Sequence, residues 1–387
     1  MLKPYIVIPK LIEQPTWGGT YLLTLKGWER NPHVQGHRIG QSYELFGQSK
    51  LALTITDSAD PRFAPEWGYA DRDETVSELF PLTPDDFIPL SQLIQTNPHD
   101  VLGEKTISRY GELMPLLIKL NQALGNSFQL HIPYGVKSER WIPKPETWFY
   151  FEDGMASMGL KPGCDVALYK EVCIRIEQKM HELSRQVTSG QLPLVAAKAQ
   201  AQTFVKAQNP WQFVNVIDVK REDVVDPSSG GIHHSWEEDT ARYPNGNIVF
   251  EIQLDAMDPV ATIRSFDQGK MKDDGSVRTM NIEDYFTHLK TDAQSNDIAR
   301  LHTHPTGQLL CETEFYQLHR RKIHGTQTLA TDGSFCFAYC HEGQVQITAG
   351  VGSVTIHKGH TAFIPCGVNS YTVASDNPAT ILVGHVA

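Results

Sequence analysis

Short apolar or alternating runs recur along this chain, and Gly, Pro, Asn and Asp residues bound them. They occupy residues 5–55, 113–130 and 148–160, and strand-like runs resume at 213–216 and 249–252. Runs of this length between turn-forming residues are typical of antiparallel strands in a sandwich or barrel. The pattern therefore predicts a mainly β fold.

Some stretches have the helical period instead. Residues 85–102 predict a loop followed by a helix, and residues 165–210 predict an inserted α-helical segment. The apolar residues of the second stretch recur at helical spacing, at Val172, Ile176, Met180 and Leu183. A further short helix is expected around residues 281–289.

The length of the chain bears on its organisation. At 387 residues it exceeds the size at which a single hydrophobic core keeps growing, so more than one domain is expected. A polar connection runs from Lys270 to Asn296, and the tail after it alternates steadily as far as Val386. We therefore expect one domain over residues 1–295 and a second over residues 296–387.

Composition narrows the range of partners. The formal net charge of −11 disfavours nucleic acid or an anionic membrane and favours small molecules. The six cysteines show no C-x-x-C spacing, which fits reduced thiols. The chain shows neither a secretory signal pattern nor an apolar run of transmembrane length, so a cytoplasmic location is expected.

Four residues form a candidate metal site. Gln129 and His131 lie two positions apart in a predicted strand, so their side chains point to the same face. Glu146 and His233 add a carboxylate and a second imidazole from neighbouring strands. A nitrogen and oxygen ligand set without thiolate suits zinc or a similar divalent ion, and it leaves a coordination position for water or substrate. The neighbouring His234 is an alternative to His233.

The sequence around these ligands resembles that of the type I mannose-6-phosphate isomerases, which are zinc-dependent proteins of the cupin superfamily. The similar segments occur in the family's order. They are Trp17 to Gly19, Gly40 to Glu44, Met114 to Leu120, Ser127 to His131, Lys144 to Glu146, and Phe250 to Gln253 followed by Arg264 and Lys270. The resemblance spans roughly residues 17–270 and continues more weakly to the C-terminus.

Three departures from the family pattern are visible. Ile132 separates His131 from Pro133, where the family usually has His-Pro. Glu222 stands where a glycine normally opens the second cupin motif, although the spacing from Asp223 to His233 is kept. The segment before Arg264 is also longer than in the family. These departures affect the expected substrate more than the expected metal.

The resemblance implies two cupin jelly rolls, the first catalytic and the second without metal because Asn369 stands in the position of a histidine. It also implies a metal-dependent isomerase that interconverts mannose 6-phosphate and fructose 6-phosphate through a cis-enediol. Arg264, Lys144 and Glu251 are the expected catalytic residues, with Asp255 an alternative carboxylate to Glu251. The expected substrate-binding residues are Lys270, Glu44 and Trp17.

Other functions stay open at this stage. One alternative is an isomerase or epimerase of an unphosphorylated sugar, and another is a cupin that binds a sugar without catalysis. His302 and His304 could form a separate metal pair, although a solvent-exposed linker is the favoured interpretation. The sequence also leaves the oligomeric state open.

Overall fold

The fold is taken from a computed structural model, which describes residues 2–14, 17–32, 34–69, 78–79, 82–125, 127–228, 230–236, 239–256 and 258–387. In these residues strands predominate over helices. None of the described helices is both long enough and apolar enough to cross a bilayer.

The strands of the first part of the chain are β1 (Tyr5–Ile8), β2 (Lys10–Glu13), β3 (Ile39–Leu45), β4 (Lys50–Ala52), β5 (Glu66–Tyr69), β6 (Glu78–Leu79), β7 (Phe87–Pro89), β8 (Leu116–Ala123), β9 (Phe128–Leu130), β10 (Glu146–Tyr150), β11 (Gly154–Leu160) and β12 (Val214–Val219). Those of the second part are β13 (Val224–Val225), β14 (His233–Trp236), β15 (Asn247–Leu254), β16 (Ile263–Phe266), β17 (His302–Thr303), β18 (Leu309–Glu312), β19 (Tyr316–Ala330), β20 (Cys336–Glu342), β21 (Gln344–Ala349), β22 (Gly352–His357), β23 (Thr361–Ile364) and β24 (Ser370–Val386).

The α-helices are α1 (Tyr21–Leu25), α2 (Leu90–Thr96), α3 (Pro98–Leu102), α4 (Glu104–Tyr110), α5 (Val166–Thr188), α6 (Leu194–Gln208), α7 (Asp258–Ala261), α8 (Ile282–His288) and α9 (Ile298–Leu301). Short 3₁₀ turns occupy Pro84–Asp86, Pro210–Phe213 and Cys366–Val368. The predicted helices correspond to α2 with α3, α5 with α6, and α8. Helix α4 was not predicted.

The chain divides into two compact units. Unit 1 contains residues 1–122, 250–255 and 305–387, and unit 2 contains residues 123–249 and 256–304. The predicted division after residue 295 does not coincide with these units. Within unit 1, β1 pairs antiparallel with β23, with Tyr5 opposite Phe363. The N-terminal strand therefore belongs to the same unit as the tail, and no local sequence pattern indicates such a long-range pairing.

Unit 1 is organised around a sheet with the order β18-β19-β24-β20-β23-β1-β4-β7. Strand β21 also pairs with β24, and β22 pairs with β21. Its longest pair is β19 with β24, where Tyr316 lies opposite Val386. Buried aromatic residues fill the interior, among them Phe335, Phe337 and Phe363. The alternating tail predicted from the sequence therefore forms strands throughout.

Unit 2 contains a five-stranded sheet with the order β12-β11-β14-β9-β16. One face of it packs against α5, whose residues Val172, Ile176, Met180 and Leu183 are all buried, as the helical spacing predicted. Asp165 caps this helix, since its carboxylate accepts a hydrogen bond from the backbone of Leu168. The inserted helices thus cover the back of the sheet that carries Gln129 and His233.

Unit 1 also contains a buried ion pair. The ammonium of Lys26 lies 2.7 Å from a carboxylate oxygen of Glu44, and the two side chains are 0% and 1% exposed. Ser42 and Thr361 donate hydroxyl hydrogen bonds to the two oxygens of Glu44. Burial lowers the pKa of Lys26, and the neighbouring Glu44 opposes that shift. Such pairs are costly to break because the remaining charge stays buried without compensation.

We expect Lys26→Met to lower the free energy of unfolding by about 3–5 kcal/mol, because it leaves the carboxylate of Glu44 without its counter-charge. Denaturant titration measures the change. Lys170→Met provides the control, because Lys170 pairs with Glu283 at the surface and its loss should leave stability nearly unchanged. A Lys26→Met/Glu44→Leu double variant as unstable as the single one would contradict the unpaired-charge explanation.

Candidate metal centre

Side chains along β9 and the residues that flank it alternate between the two faces of the sheet. Phe128 and Leu130 are buried in the core that α5 covers. Ser127, Gln129 and His131, which alternate with them, therefore point to the opposite face. The alternation places two predicted ligands and a serine on one line.

The neighbouring strands bring two further residues to this face. On one side His233 of β14 lies directly opposite Gln129, and on the other side Arg264 of β16 lies opposite the same residue. Directly opposed residues in a sheet have their side chains on the same face. His233, Gln129 and Arg264 therefore form a row across three strands.

Glu146, the first residue of β10, completes the cluster. Its two carboxylate oxygens lie 3.3 Å from Nε2 of His131 and 3.0 Å from Nε2 of His233. The amide nitrogen of Gln129 lies 3.2 Å from the same atom of His233, so a half-turn of the amide directs its oxygen there. All three of His131, Glu146 and His233 are at most 2% exposed.

Backbone carbonyls fix the tautomers of the two imidazoles. Nδ1 of His131 lies 2.7 Å from the carbonyl oxygen of Ala261, and Nδ1 of His233 lies 2.9 Å from that of Gly231. A carbonyl oxygen only accepts, so each Nδ1 carries a hydrogen and each Nε2 faces Glu146. This second hydrogen bond is the usual support of a histidine that binds metal.

The charges at the centre call for a cation. Burial lowers the pKa of His131 to about 4, so this imidazole is neutral at pH 7. Among the described residues, its Nε2 and both oxygens of Glu146 are buried atoms without a hydrogen bond of good geometry. One potential ligand atom from each of His131, Glu146 and His233 thus lies in this buried space, and the three atoms are all within 4.8 Å of one another. This donor set fits a divalent metal ion such as zinc.

Lys144 supplies positive charge beside the cluster. Its ammonium lies 3.0 Å from Oε2 of Glu146, and its side chain is 3% exposed. Burial alone would raise the pKa of Glu146, but the positive charge of Lys144 helps to hold it well below its ordinary value. The carboxylate is therefore ionised and available as a ligand. The prediction that Lys144 and Glu146 share a face agrees with this contact.

His234 points away from the cluster. Its ring stacks on Phe128 with the centroids 4.5 Å apart, and its Nε2 lies 2.8 Å from the amide nitrogen of Gln268. Burial lowers the pKa of His234 to about 3. Of the two adjacent histidines, His233 is thus the one on the face of Gln129.

Two predicted cations lie in unit 2 as well. Arg264 is partly buried, and its Nε donates to the hydroxyl of Ser127 at 3.1 Å. Lys270 donates to the carbonyl oxygen of Gly125. Arg264 is in the row that contains His233. The charge of Lys270 instead acts on His234, where it adds to the effect of burial in lowering the pKa.

The remaining predicted site residues belong to unit 1. Glu251 is buried, with its carboxylate 3.2 Å from the ammonium of Lys119 and 2.6 Å from the amide nitrogen of Asn121. Glu44 is held by the buried pair with Lys26. Trp17 lies close to Gly40, where any Cβ would meet its ring. Their roles as catalytic or substrate-binding residues remain predictions.

His302 and His304 do not form a simple exposed linker. Residues 302 and 303 constitute β17, which pairs with β13. The carboxylate of Asp223 accepts from Nε2 of His302 at 2.6 Å and from Nδ1 of His304 at 2.7 Å. The two histidines thus anchor a short strand.

The sequence interpretation missed three contributors. Ser127 was recognised only as part of a motif, although the two-residue period already places it on the face of Gln129. The carbonyl groups of Ala261 and Gly231 leave no sequence signal, because any residue supplies a backbone oxygen.

Comparisons with known proteins bear on the fold. The family model described as "Mannose-6-phosphate isomerase, cupin domain" matches residues 307–385. A search of curated proteins gives no match. The mannose 6-phosphate isomerase from Bacillus subtilis is structurally similar, with 16% identity, a TM-score of 0.62 and 99% of each chain covered. The enzyme from Salmonella typhimurium, solved with fructose 6-phosphate and zinc, shows 13% identity, a TM-score of 0.61 and 99% coverage of each chain.

The fold and the cluster define a class: a mainly β protein of the cupin type with an inserted helical segment and a buried candidate metal site. The predicted fold class is confirmed. The resemblance to the type I mannose-6-phosphate isomerases, inferred from the sequence, is confirmed by the matching C-terminal domain and by the shared fold.

We expect the purified protein to retain a single divalent ion per chain, and His131→Ala or His233→Ala to lose it, because each removes one of a few converging ligands. Elemental analysis by mass spectrometry measures the metal. His234→Gln is the matched control, since its side chain lies on the other face of β14, and it should retain the ion. Full occupancy in both alanine variants would refute the site.

Proposed function

We propose that this protein is a metal-dependent aldose-ketose isomerase that interconverts mannose 6-phosphate and fructose 6-phosphate. The observation that carries the proposal is the row formed by His233, Gln129 and Arg264 beside Glu146. It sets a candidate Lewis-acid site next to a guanidinium. The fold shared with isomerases of these sugar phosphates supports the same reaction.

The proposed chemistry moves a proton between two neighbouring carbons by way of a cis-enediol. Gln129, His131, Glu146 and His233 would hold the metal, which supplies Lewis acidity to a sugar oxygen when bound. The guanidinium of Arg264 would stabilise the negative charge that develops on the enediol oxygens, since it is planar and permanently charged. Arginine and metal site would thus share the charge of the transition state.

Carboxylates are the candidates for carrying the proton. Burial raises the pKa of Asp255, which is the direction expected for a carboxylate that takes up and returns a proton. Glu251 is the alternative, with Lys119 and Asn121 fixing its orientation. We retain both candidates, with Lys144 as a helper that holds Glu146 ionised.

The phosphate group would be met by cations. Arg264 and Lys144 lie at the cluster, and Lys270 follows Arg264 in the chain. Glu44 and Trp17 are retained as proposed substrate-binding residues. A small sugar phosphate is therefore the proposed partner, and the net charge of −11 disfavours nucleic acid.

Location and organisation complete the proposal. All six cysteines are present as thiols, which fits the reducing cytoplasm. We propose that residues 1–295 carry catalysis and that residues 296–387 form a cupin that binds no metal, because Asn369 replaces a histidine ligand.

One observation favours a second candidate. The ammonium of Lys270 donates a hydrogen bond to the carbonyl oxygen of Gly125, so fewer of its N–H groups are available to a phosphate. An isomerase or epimerase of an unphosphorylated sugar is the corresponding alternative.

Substrate screening separates the two. The metal-loaded protein is incubated with mannose, mannose 6-phosphate, fructose and fructose 6-phosphate carrying deuterium at the reacting carbon, and NMR follows its exchange with solvent. Turnover of the phosphates alone supports the proposal. Turnover of the free sugars supports the alternative, and binding without exchange in any of them would indicate a non-catalytic cupin.

We expect Arg264→Ala to lower kcat/KM for mannose 6-phosphate by about a hundredfold or more, roughly 2.7 kcal/mol of barrier, because it removes a donor to charge that forms in the transition state. Arg264→Lys should recover only part of the loss, since it keeps the charge without the fork. Arg278→Ala is the matched control, because Arg278 is a partly exposed arginine paired with Asp267. Parent-like turnover by Arg264→Ala would contradict the role.

A further inference from the structure

Ser127 stands next to the candidate cluster without being one of its ligands. Its hydroxyl accepts a hydrogen bond of 3.1 Å from Nε of Arg264, and its side chain is among the buried polar groups at 2% exposure. A hydrogen bond that involves a charged group contributes more than a neutral one, and burial strengthens it further. The contact is therefore strong enough to select one position for the guanidinium.

The backbone of Arg264 is fixed as well. The amide of Asn281 donates to the carbonyl oxygen of Arg264 at 2.7 Å, and the amide of Arg264 donates to the side-chain oxygen of Asn281 at 3.4 Å. One terminal nitrogen of the guanidinium also donates to the carbonyl oxygen of Thr262 at 3.4 Å. The long side chain is thus held at its base and near its tip.

Ser127 is close in sequence to two of the candidate metal ligands. Ser127, Gln129 and His131 follow one another at two-residue intervals, so a single stretch of extended backbone carries the serine and two candidate metal ligands. Extended backbone rises about 3.3 Å per residue, and its length hardly varies. The serine that accepts from the guanidinium and two of the candidate metal ligands therefore belong to one short segment around β9.

We propose that Ser127 is a positioning residue that holds Arg264 at a fixed distance from the metal site, so that the guanidinium meets the enediol oxygens without reorganising. The inference rests on the proposed function for its effect on turnover. The hydrogen bond itself is independent of any activity. Ser127 acts through Arg264 and need not contact the sugar.

The test combines kinetics with a direct observation of the arginine. Ser127→Ala should lower kcat/KM for mannose 6-phosphate by about tenfold or more, with the metal content unchanged. In an Arg264→Lys background the same substitution should change kcat/KM by less than about twofold, because the partner of the hydroxyl has already gone. Ser265→Ala is the matched control. Ser265 is also buried and belongs to β16, but it neighbours Arg264 on the opposite face, so its loss should spare turnover.

NMR of protein labelled with ¹⁵N-arginine provides the readout that does not need activity. A protected Nε–H signal should be present in the parent protein, absent in Arg264→Lys, and faster in hydrogen exchange by about tenfold in Ser127→Ala. Ser265→Ala should leave the signal as it is.

The outcomes separate the two proposals. If the parent protein isomerises no sugar phosphate but the Nε–H signal responds to Ser127→Ala, the proposed function fails and the anchoring of Arg264 stands. If the signal does not respond, or if Ser127→Ala has its full effect in the Arg264→Lys background, the positioning role is overturned. Equal losses in Ser127→Ala and Ser265→Ala would reduce Ser127 to a packing residue and would also overturn it.

Discussion

The candidate metal site of unit 2 depends on potential ligand atoms that face one another across a buried space. Backbone carbonyls engage Nδ1 of His131 and His233, so that Nε2 of each ring faces the carboxylate of Glu146. In water such groups would separate or take up protons, but here the sheet and the inserted helices hold them together. The ammonium of Lys144 compensates part of the negative charge. A divalent cation bound between the ligand atoms would add to that compensation, so the folded strands provide a preformed site for it.

Local patterns were sufficient for much of this picture. The two-residue period of β9 predicted which side chains share a face, and the helical spacing of Val172, Ile176, Met180 and Leu183 predicted the buried side of α5. The family-like spacing favoured His233 over His234, and His233 is the one that lies on the face of Gln129, because adjacent residues of a strand point to opposite faces. Periodicity succeeds in these cases because each answer depends on one segment of chain.

Other features were beyond prediction because they join distant segments. The pairing of β1 with β23 draws the N-terminus into the unit that contains the tail, so the linear boundary at residue 295 does not match the compact units. The contacts of Glu44 with Lys26 and Thr361 also join distant segments, and the sequence did not indicate them. Glu222 was noticed only as a departure from glycine. Its φ of 72° shows that the backbone there keeps the left-handed conformation that glycine adopts most easily.

The alternation of β9 also governs which length changes the chain can accept. Between Ser127 and His131 an added or deleted residue would send every later side chain to the wrong face, separating the arginine anchor from the ligands. Strand β9 ends at Leu130, so Ile132, which follows His131, lies in the loop after the strand. Length variation among related sequences should therefore stop at this histidine. The spacing of residues within this strand is fixed by its pairing, whereas the loops beyond it can vary in length and sequence.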